Sequence, residues 1–408
     1  MPILVMKFGG TSVADLTCIA RSAQKVKQEV ENGYHVVVVV SAMSGETNKL
    51  VKYVNDIDKL YDVREYDAVV AAGEQVTSGL MAMMLQSIGV PARSWQGWQI
   101  PIRTTGLHGS ARIEHIETKK LADHFDQGTH AVVSGFQGMA PDGRVATLGR
   151  GGSDTSAVAL AAALGAERCD IYTDVDGVYT TDPRIEPMAR KISRVAYEEM
   201  VEMASQGAKV LQTRSVEFAM RYRVKLQVLS SFAAEIGSDI PGTLVCDEED
   251  WMESKVVTGI AFSRDEAKIT LQRVADLPGV AASIFEPLAA GGINVDMIVQ
   301  NISEEGHTDM TFTVGLDSFD RAVDVIEKAH ATIQYESLKV DKNVAKVSVV
   351  GIGMRSHTGV AQRMFHALAK DGVNIQVITT SEIKISVLMD RKYLELAVRS
   401  LHAAFDLG

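Results

Sequence analysis

The first 245 residues alternate between short apolar runs and longer stretches with helical periodicity. Residues 3–6 (ILVM) and 35–40 (HVVVVV) are continuous apolar runs, which are typical of parallel strands covered on both faces. A helical pattern between them ends near Asn32, with Gly33 as a stop signal, and helical patterns also occupy residues 65–89. Residues 130–138 predict another strand and turn, and residues 170–184 predict a strand followed by an acidic loop with glycine and proline. This order predicts an α/β domain with a mostly parallel central sheet over residues 1–245.

The remainder of the chain contains an internal repeat. After the acidic stretch CDEEDW at 246–251, residues 278–303 align without gaps on residues 358–383. The first copy has the βαββαβ order of a ferredoxin-like unit, with its first strand at 267–272 and its last at 333–340. The second copy ends on a helix, at 392–405, without a fourth strand. We therefore predict modules at 264–343 and 344–408, and a linker at 246–263 whose strand, 256–262, completes the second sheet.

Charge, cysteine content and hydropathy exclude several classes of protein. The net charge of −11 argues against nucleic acid or an anionic membrane as a main partner. The three scattered cysteines contain no CxxC pair, which indicates a reducing compartment and neither disulfides nor a zinc site. The longest uncharged apolar run, 155–166, is too short to cross a membrane. We therefore expect a cytoplasmic protein.

The stretch TLGRGGSDTS at 147–156 carries the strongest chemical signal. Tandem glycines expose backbone N–H groups, and a helix starting at Ser153 or Asp154 would direct its positive end at the turn. Arg150 adds a planar guanidinium that suits a carboxylate or phosphate. The alternative is a glycine-rich loop that caps an ordinary core helix. We predict that an anion is held here.

Polar groups also follow the other predicted strands. They are Lys7 with Gly9 and Gly10, Ser41 and Thr47, Glu74, residues 173–184, and Lys209. The carboxyl ends of parallel strands share one edge of a sheet, where open α/β folds bind their ligands. Two lysines and glycine turns suit a nucleoside triphosphate, and an arginine–glutamate pair suits an amino acid. Individually, each of these residues is more often a surface charge or a turn glycine.

The histidines give no comparable signal. His108, His115, His124 and His130 lie close in sequence but without the spacing of metal ligands. We expect all four on a solvated surface, and we predict no protein ligands for a metal.

Five features together resemble the aspartate kinase family: KFGGTS, SAMSGETN, TLGRGGSD, the TDVDGVYTTDPR loop and the tandem repeat. The resemblance runs over essentially the full length. It implies an amino-acid-kinase fold followed by two ACT domains, and ATP- and Mg²⁺-dependent phosphorylation of L-aspartate to 4-phospho-L-aspartate. That reaction begins lysine, threonine, methionine and diaminopimelate synthesis.

The same resemblance implies roles for individual residues of the first domain. Lys7 and Asp154 match the catalytic lysine and the aspartate that organises the lysines around the reacting phosphate. The positions implied for aspartate binding are Ser41, Thr47, Glu74, Phe136, Arg150, Gly151, Gly152 and Ser153. Those implied for ATP are Lys7, Phe8, Gly9, Gly10, Thr173, Asp174, Tyr179, Arg184 and Lys209.

For the repeat region the resemblance implies feedback inhibition by lysine, threonine or both. The implied effector positions are Asp276, Ala281, Asn294, Asp296, Gln300, Val360, Ala361, Asn374, Ile375, Ser381 and Glu382. It also implies an oligomer formed through the ACT domains, either a homodimer or tetramer, or an α2β2 assembly with a shorter chain that starts near Met252. Two alternatives remain: a kinase of the same fold for another small acid, and a non-catalytic amino-acid sensor.

Overall fold

The computed structural model describes residues 1–206, 210–239, 242–248, 256–301, 306–355 and 357–408. These residues form two compact units. The first contains Met1–Val178, Lys191–Ser205 and Lys209–Glu253, and the second contains Tyr179–Arg190, Gln206–Ala208 and Ser254–Gly408.

The elements of the first unit alternate between strands and helices. In chain order they are β1 (Ile3–Phe8), α1 (Leu16–Glu31), β2 (His35–Val40), α2 (Glu46–Ile57), α3 (Val63–Val70), α4 (Ala72–Ser87), β3 (Ala92–Trp95), β4 (Ile102–Thr104), β5 (Ile113–Ile116), α5 (Lys119–Phe125), β6 (His130–Ser134), β7 (Gln137–Met139), β8 (Val145–Thr147), α6 (Gly152–Leu164), β9 (Arg168–Thr173), β10 (Arg194–Ala196), α7 (Tyr197–Ser205), α8 (Thr213–Tyr222), β11 (Leu226–Ser230) and β12 (Thr243–Cys246).

The central sheet of this unit has eight strands in the order β10-β12-β11-β9-β1-β2-β6-β3. Every neighbouring pair is parallel except β11 with β12. A smaller sheet has the order β5-β4-β7-β8. The predicted mostly parallel α/β fold is therefore confirmed.

Both faces of the central strands are covered, as their continuous apolar sequences predict. Leu4, Met6 and Phe8 of β1 pack in one core with apolar residues of α1 and α4. The other face is covered by α6, whose residues 152–161 are all buried. Small side chains in α6 let it lie close to the sheet, and Lys7, which alternates with Met6 and Phe8 along β1, points to this side.

One helical stretch of the described chain, Val63–Ser87, is long and apolar enough to cross a membrane. Half of its most apolar window is buried inside the fold. It also contains the buried carboxylates of Asp67 and Glu74. These features are typical of a core helix.

The second unit contains the repeat. Its elements are β13 (Gly259–Ala275), α9 (Val280–Ala290), β14 (Val295–Gln300), β15 (His307–Gly315), α10 (Phe319–Lys328), α11 (His330–Ile333), β16 (Ser337–Val350), α12 (Val360–Lys370), β17 (Ile375–Thr380), β18 (Lys384–Asp390) and α13 (Leu394–Ala404). The strands form one sheet in the order β14-β15-β13-β16-β18-β17.

Two long strands connect the modules of this sheet. Residues 266–275 of β13 pair with β15, whereas residues 259–263 pair with residues 346–350 of β16. The first part of β13 thus occupies the fourth-strand position beside β16, β18 and β17. Val256, Val257, Ile260 and Phe262 pack into the core of the second module.

Two sequence-based boundaries differ in the structure. Ile333, predicted to begin a strand, ends α11 instead, because its side chain is buried in the first module's core and Gln334 leaves the helix with a φ of 55°. The helix predicted to start at Ser153 or Asp154 begins at Gly152, because Gly151 takes the left-handed cap conformation.

The segment Tyr179–Arg190 interrupts the first unit in sequence and packs within the second. Ile185 belongs to the second module's core, and its carbonyl accepts a hydrogen bond from Arg399 Nε at 2.9 Å. Thr180 Oγ1 lies 2.9 Å from His402 Nε2.

Candidate active site

The turns after four parallel strands form a continuous row at one edge of the central sheet. Ser41 donates its backbone N–H to the Phe8 carbonyl at 3.1 Å, and Gly135 donates to the Val40 carbonyl at 3.0 Å. Gly9 donates to the Tyr172 carbonyl of β9 at 3.3 Å. The loops that follow β1, β2, β6 and β9 are therefore held side by side, at the edge where open parallel sheets bind ligands.

Lys7 and Asp154 form a buried ion pair in this row. Lys7 Nζ lies 2.6 Å from Asp154 Oδ1, and the two side chains are only 11% and 10% exposed. Asp154 lies in the first turn of α6, where the helix dipole favours a negative charge. The pair fixes an ammonium group at the strand end while most of its surface is shielded from water.

The glycines after β1 leave space around that ammonium. A Cβ at Gly9 would lie 3.3 Å from Lys7 Nζ, and one at Gly10 would lie 3.1 Å from the Ala42 carbonyl oxygen. Both contacts are tighter than ordinary van der Waals contact. Phe8, just before them, is buried and stacks on Tyr172 with ring centroids 4.8 Å apart.

Glu74 places a second buried charge beside the loop after β2. Its Oε1 accepts a hydrogen bond from the Ala42 N–H at 3.1 Å. Its Oε2 is buried without a hydrogen-bond partner among the described residues. Burial raises the pKa of this carboxyl to about 7. An unpartnered carboxylate oxygen of this kind is suited to an ammonium group.

Ser41 and Thr47, the other implied aspartate-binding positions of this region, flank Ala42 in sequence. Ser41 is half-buried, and it directly precedes Ala42. Thr47 lies in the first turn of α2, which is preceded by Gly45 in the left-handed conformation at a φ of 84°. Ser41 thus follows β2 directly, and the hydroxyl group of Thr47 lies within α2.

The start of α6 is packed against its surroundings at each glycine. Gly151 has a φ of 71°, and a Cβ there would lie 1.9 Å from Gln212 Cγ. A Cβ at Gly152 would lie 2.8 Å from Phe136 Cδ2. Phe136 itself has a φ of 67° and donates its N–H to Ser156 Oγ at 3.1 Å. No side chain other than hydrogen fits at either glycine without movement.

Ser153 and Arg150 differ sharply in exposure. Ser153 is buried, and a Cβ at Gly135 would lie 2.9 Å from its Oγ. Arg150 is exposed, and its guanidinium has no ion-pair or hydrogen-bond partner in the part of the chain that the structure describes. A free guanidinium beside buried N–H groups can bind a carboxylate.

Besides Lys7, Phe8, Gly9 and Gly10, the residues implied for ATP fall into three groups. Thr173, at the end of β9, donates its hydroxyl to Asp174 Oδ1 at 3.1 Å, and Asp174 is exposed. Tyr179 and Arg184 belong to the second unit, where Arg184 pairs with Asp182 at 2.7 Å. Lys209 lies outside the described residues.

Sequence reasoning missed three groups at this edge. The Ala42 N–H binds Glu74, and the hydroxyls of Ser12 and Ser231 lie 2.5 Å apart beneath the glycine turn. A backbone donor leaves no signal in residue type. Ser12 is the last residue of the KFGGTS motif, so its place in that motif was the available signal.

The expectation that all four histidines lie on a solvated surface is wrong for two of them. The His108 side chain is 5% exposed and lies 2.7 Å from Asp67. His130 is buried at the start of β6 and accepts a hydrogen bond from the Val36 N–H at 3.1 Å. Burial lowers the pKa of His130 to about 4, which keeps its ring neutral. His115 is exposed and His124 is partly exposed.

Four of the implied effector positions line one cavity in the second module. Val360, Ala361, Ser381 and Glu382 border a cavity of about 540 Å³. Arg355 also lines it and lies 3.5 Å from Glu382. Asn374 and Ile375 lie at the start of β17, whereas Ser381 follows its end. The cavity therefore contains both signs of charge.

In the first module the implied positions also divide between the two ends of a strand. Gln300 is the last residue of β14, and Asn294 directly precedes that strand. Asp276 donates its N–H to the Gly306 carbonyl at 2.9 Å. Ala281 lies in the first turn of α9. Gln300, Asn294 and Ala281 correspond in the repeat to positions 380, 374 and 361.

Asp296 of β14 already forms an ion pair within the protein. Its Oδ2 lies 2.6 Å from Lys346 Nζ, which also lies 2.9 Å from Glu266. Burial opposes ionisation of Asp296, but the Lys346 ammonium holds its pKa below the usual range. The ion pair leaves Asp296 less available to a ligand.

Comparison with known proteins adds the family relationship. Residues 2–230 match the amino acid kinase family, and residues 272–330 and 347–405 each match the ACT domain. An aspartokinase from Pseudomonas aeruginosa is 53% identical over 409 residues, which covers 100% of this chain and 98% of the relative.

Solved structures show the same similarity. E. coli aspartokinase III in complex with aspartate and ADP (R-state) superposes with a TM-score of 0.82 at 27% identity, covering 98% of this chain and 99% of that one. The same enzyme in complex with lysine and aspartate (T-state) gives a TM-score of 0.78 at 28% identity, covering 99% of each chain.

Proposed function

We propose a catalytic and regulatory scheme for this chain, which belongs to the aspartokinase family and phosphorylates the side-chain carboxyl group of aspartate. The observation that carries the scheme is the buried ion pair of Lys7 with Asp154, at the start of α6 and beside the Gly9 turn. It provides a fixed positive charge where the strand ends meet.

In the proposed reaction, a side-chain carboxylate oxygen of aspartate attacks the γ-phosphorus of ATP. The new O–P bond forms as the bond to the β,γ-bridging oxygen breaks, and ADP leaves with that electron pair. The carboxylate nucleophile is already ionised at neutral pH, so no general base is needed. Lys7 stabilises the charge on the transferring phosphoryl group, and Asp154 holds Lys7 in place.

Aspartate is bound between the loop after β2 and the start of α6. Arg150 binds the α-carboxylate, and the free Oε2 of Glu74 accepts the ammonium group. The hydroxyls and N–H groups that complete this site come from Ser41, Thr47, Phe136, Gly151, Gly152 and Ser153. The unpartnered guanidinium and the unpartnered carboxylate oxygen support this assignment, because together they match a zwitterion.

ATP lies with its phosphates against the turn after β1. Phe8, Gly9 and Gly10 let the phosphates approach Lys7 closely, and the nucleotide continues past Thr173 and Asp174. For Tyr179, Arg184 and Lys209, a role in nucleotide binding stays a prediction from the resemblance. The relative that is solved with ADP supports a nucleotide here. Among the described residues no group of three or more His, Cys, Asp or Glu side chains is arranged for a metal ion. Mg²⁺ would accompany ATP and would neutralise part of the charge on its phosphates.

The second unit regulates this activity by binding an amino acid. We propose lysine, threonine or both as inhibitors, as expected for the first step of lysine, threonine, methionine and diaminopimelate synthesis. The cavity lined by Val360, Ala361, Ser381 and Glu382 supports one effector position, since its arginine and glutamate suit an amino acid's two charges. E. coli aspartokinase III in complex with lysine is a structural relative.

We propose that the chain acts in the cytoplasm as an oligomer through its ACT domains, either a homodimer or tetramer, or α2β2 with a chain starting near Met252. Three free thiols, two of them buried, support a reducing compartment. Met252 and its neighbours lie outside the described residues.

The direct experiment is an ATP-dependent hydroxamate assay with aspartate, glutamate and acetylglutamate, repeated with lysine, threonine and both. We expect turnover with aspartate alone and inhibition by at least one effector. Preference for another acid would contradict the substrate assignment, and absence of turnover with every acid would indicate an amino-acid sensor instead.

A further inference from the structure

Asp67 is a buried carboxylate that the proposed mechanism does not use. It lies in α3, and its side chain is 0% exposed. Burying an ionised carboxylate is costly unless hydrogen bonds compensate it. Its partners therefore indicate what the residue contributes.

Among the described residues, the hydrogen-bond partners of the Asp67 side chain lie in or beside the loops that lead to Arg150. Thr147 donates its hydroxyl to Oδ1 at 2.5 Å. Gly109 donates its N–H to both oxygens, at 3.2 Å and 3.1 Å, and His108 Nδ1 lies 2.7 Å from Oδ2. One carboxylate thus joins α3, the loop after β4 and the last residue of β8.

Thr147 directly precedes the turn Leu148–Gly149–Arg150–Gly151. Its carbonyl accepts a hydrogen bond from Ala111 at 2.9 Å, so both its backbone and its side chain are fixed. Gly149 packs against the same loop, since a Cβ there would lie 3.3 Å from the Gly109 carbonyl oxygen. The turn therefore leaves β8 from a fully anchored residue.

A second set of hydrogen bonds, from Arg214, also fixes the turn. Arg214 of α8 donates from Nη1 to the Leu148 carbonyl at 2.8 Å and from Nη2 to the Ala111 carbonyl at 3.0 Å. Between these two anchors, the exposed guanidinium of Arg150 has no protein partner among the described residues to hold it. Its direction depends on the backbone of the turn.

We propose that Asp67, acting through Thr147 and the Gly109 loop, is a positioning residue that directs Arg150 at the α-carboxylate of aspartate. The proposal rests on the placement of Arg150 in the proposed function. Positioning of this kind acts on binding of aspartate rather than on phosphoryl transfer, because Lys7 and Asp154 do not contact the network described above.

The test compares Thr147→Val with Thr147→Ser. Valine keeps the shape of threonine and removes the hydroxyl donor, whereas serine keeps the donor. We expect Thr147→Val to raise the aspartate KM about tenfold, the effect of losing one hydrogen bond to a buried charge, with the ATP KM and kcat within twofold. Thr147→Ser should restore the wild-type KM. An unchanged KM in Thr147→Val would overturn the proposal.

Thr308→Val is the matched control for lost stability. Thr308 is also buried, and its hydroxyl donates to the Asn301 carbonyl at 2.6 Å in the second unit. Measured without effectors, this variant should leave the aspartate KM unchanged. An equal rise in KM would show that any buried threonine has the same effect and would overturn the proposal.

A double-mutant cycle separates this inference from the proposed function. If Asp67 and Thr147 act through Arg150, Thr147→Val should raise the aspartate KM in the wild-type background and not in Arg150→Ala. Equal effects in both backgrounds would overturn the positioning role while leaving Arg150 in the site. If Arg150→Ala itself leaves the KM unchanged, the placement of Arg150 fails and the positioning role fails with it.

Asp67→Asn gives an independent variant. The amide has one acceptor oxygen in place of two, so it cannot accept from Thr147, Gly109 and His108 together. We expect a KM rise at least as large as that of Thr147→Val. Folded Asp67→Asn protein, verified by its melting transition, with a wild-type aspartate KM would contradict the proposal.

Discussion

At the scale of single residues, the two buried charges of the candidate site are stabilised in different ways. Lys7 has a carboxylate at 2.6 Å, so its ammonium is compensated within the protein. Glu74 has one N–H on Oε1 and no partner for Oε2 among the described residues. In the proposed site, Lys7 is therefore compensated before substrate binds, whereas Glu74 would receive its counter-charge from the ligand.

This difference predicts how aspartate binding depends on pH. Burial raises the pKa of Glu74 to about 7 from its usual 4.5, so the carboxyl is largely protonated in the free enzyme below pH 7. Because the ligand's ammonium favours ionised Glu74, binding must expel that proton at low pH. The aspartate KM should be about tenfold higher at pH 6 than at pH 8, with little change above pH 8.

Glu74→Gln is the control for that profile. The amide keeps the shape and cannot titrate, so its aspartate KM should be higher than that of the wild type and independent of pH over the same range. Steady-state kinetics at saturating ATP measure both. A wild-type pH profile that persists in Glu74→Gln would assign the titration to another group.

At the scale of elements, the site depends on where α6 begins. Gly151 and Gly165 cap the two ends of this helix, and both have positive φ, at 71° and 60°. A Cβ at Gly151 would collide with Gln212, whereas a Cβ at Gly165 would meet nothing within 4 Å. A side chain at Gly165 would therefore cost free energy only through the positive φ, whereas one at Gly151 would also cost free energy through its collision with Gln212.

We expect Gly165→Ala to lower the stability of the first unit by about 1 kcal/mol and to leave kinetics unchanged. Gly151→Ala should cost at least about 2 kcal/mol, because overpacking adds to the same conformational cost, and should raise the aspartate KM. Thermal unfolding and kinetics of the two variants test this. Equal effects on stability would show that Gln212 moves aside without cost.

The strands of the first unit were predictable from the sequence, whereas several side-chain contacts between distant residues were not. Continuous apolar runs predicted β1 and β2, and the polar residues after them lie in one row of hydrogen-bonded turns. The burial of His108 was not predictable, because its partner Asp67 lies 41 residues earlier and no local pattern links them. Lys7 and Asp154 pair across 147 positions. The strand-end pattern predicted that they share one edge of the sheet, but only the resemblance to a family linked the aspartate to the lysine.

At the scale of the whole molecule, the two modules of the second unit share their longest strands. Residues 256–262 were predicted as a strand of the second module, and residues 259–263 pair with residues 346–350. Ile260 is 1% exposed in the second module's core although it precedes the first module in sequence. Contacts in the folded structure, rather than order along the chain, therefore determine which residues unfold together.

Ile260→Ala tests this sharing. Removing the buried side chain should cost about 2–5 kcal/mol, and hydrogen exchange should rise most in β18, which lies in the second module. Ile269→Ala, a matched variant in the first module's core, should act most on β15. Loss of protection confined to β14 and β15 in Ile260→Ala would contradict the shared sheet.

We propose that the Lys7–Asp154 ion pair at the end of β1 stabilises the phosphoryl group during its transfer to aspartate. Its most direct test is the initial rate of aspartyl phosphate formation, trapped as the hydroxamate, in wild type and Lys7→Ala, with exposed Lys52→Ala as the control. We predict at least about a 10²-fold loss of kcat for Lys7→Ala, the effect of removing one preorganised charge stabiliser, and no change for Lys52→Ala. Near-normal kcat in folded Lys7→Ala would contradict the account.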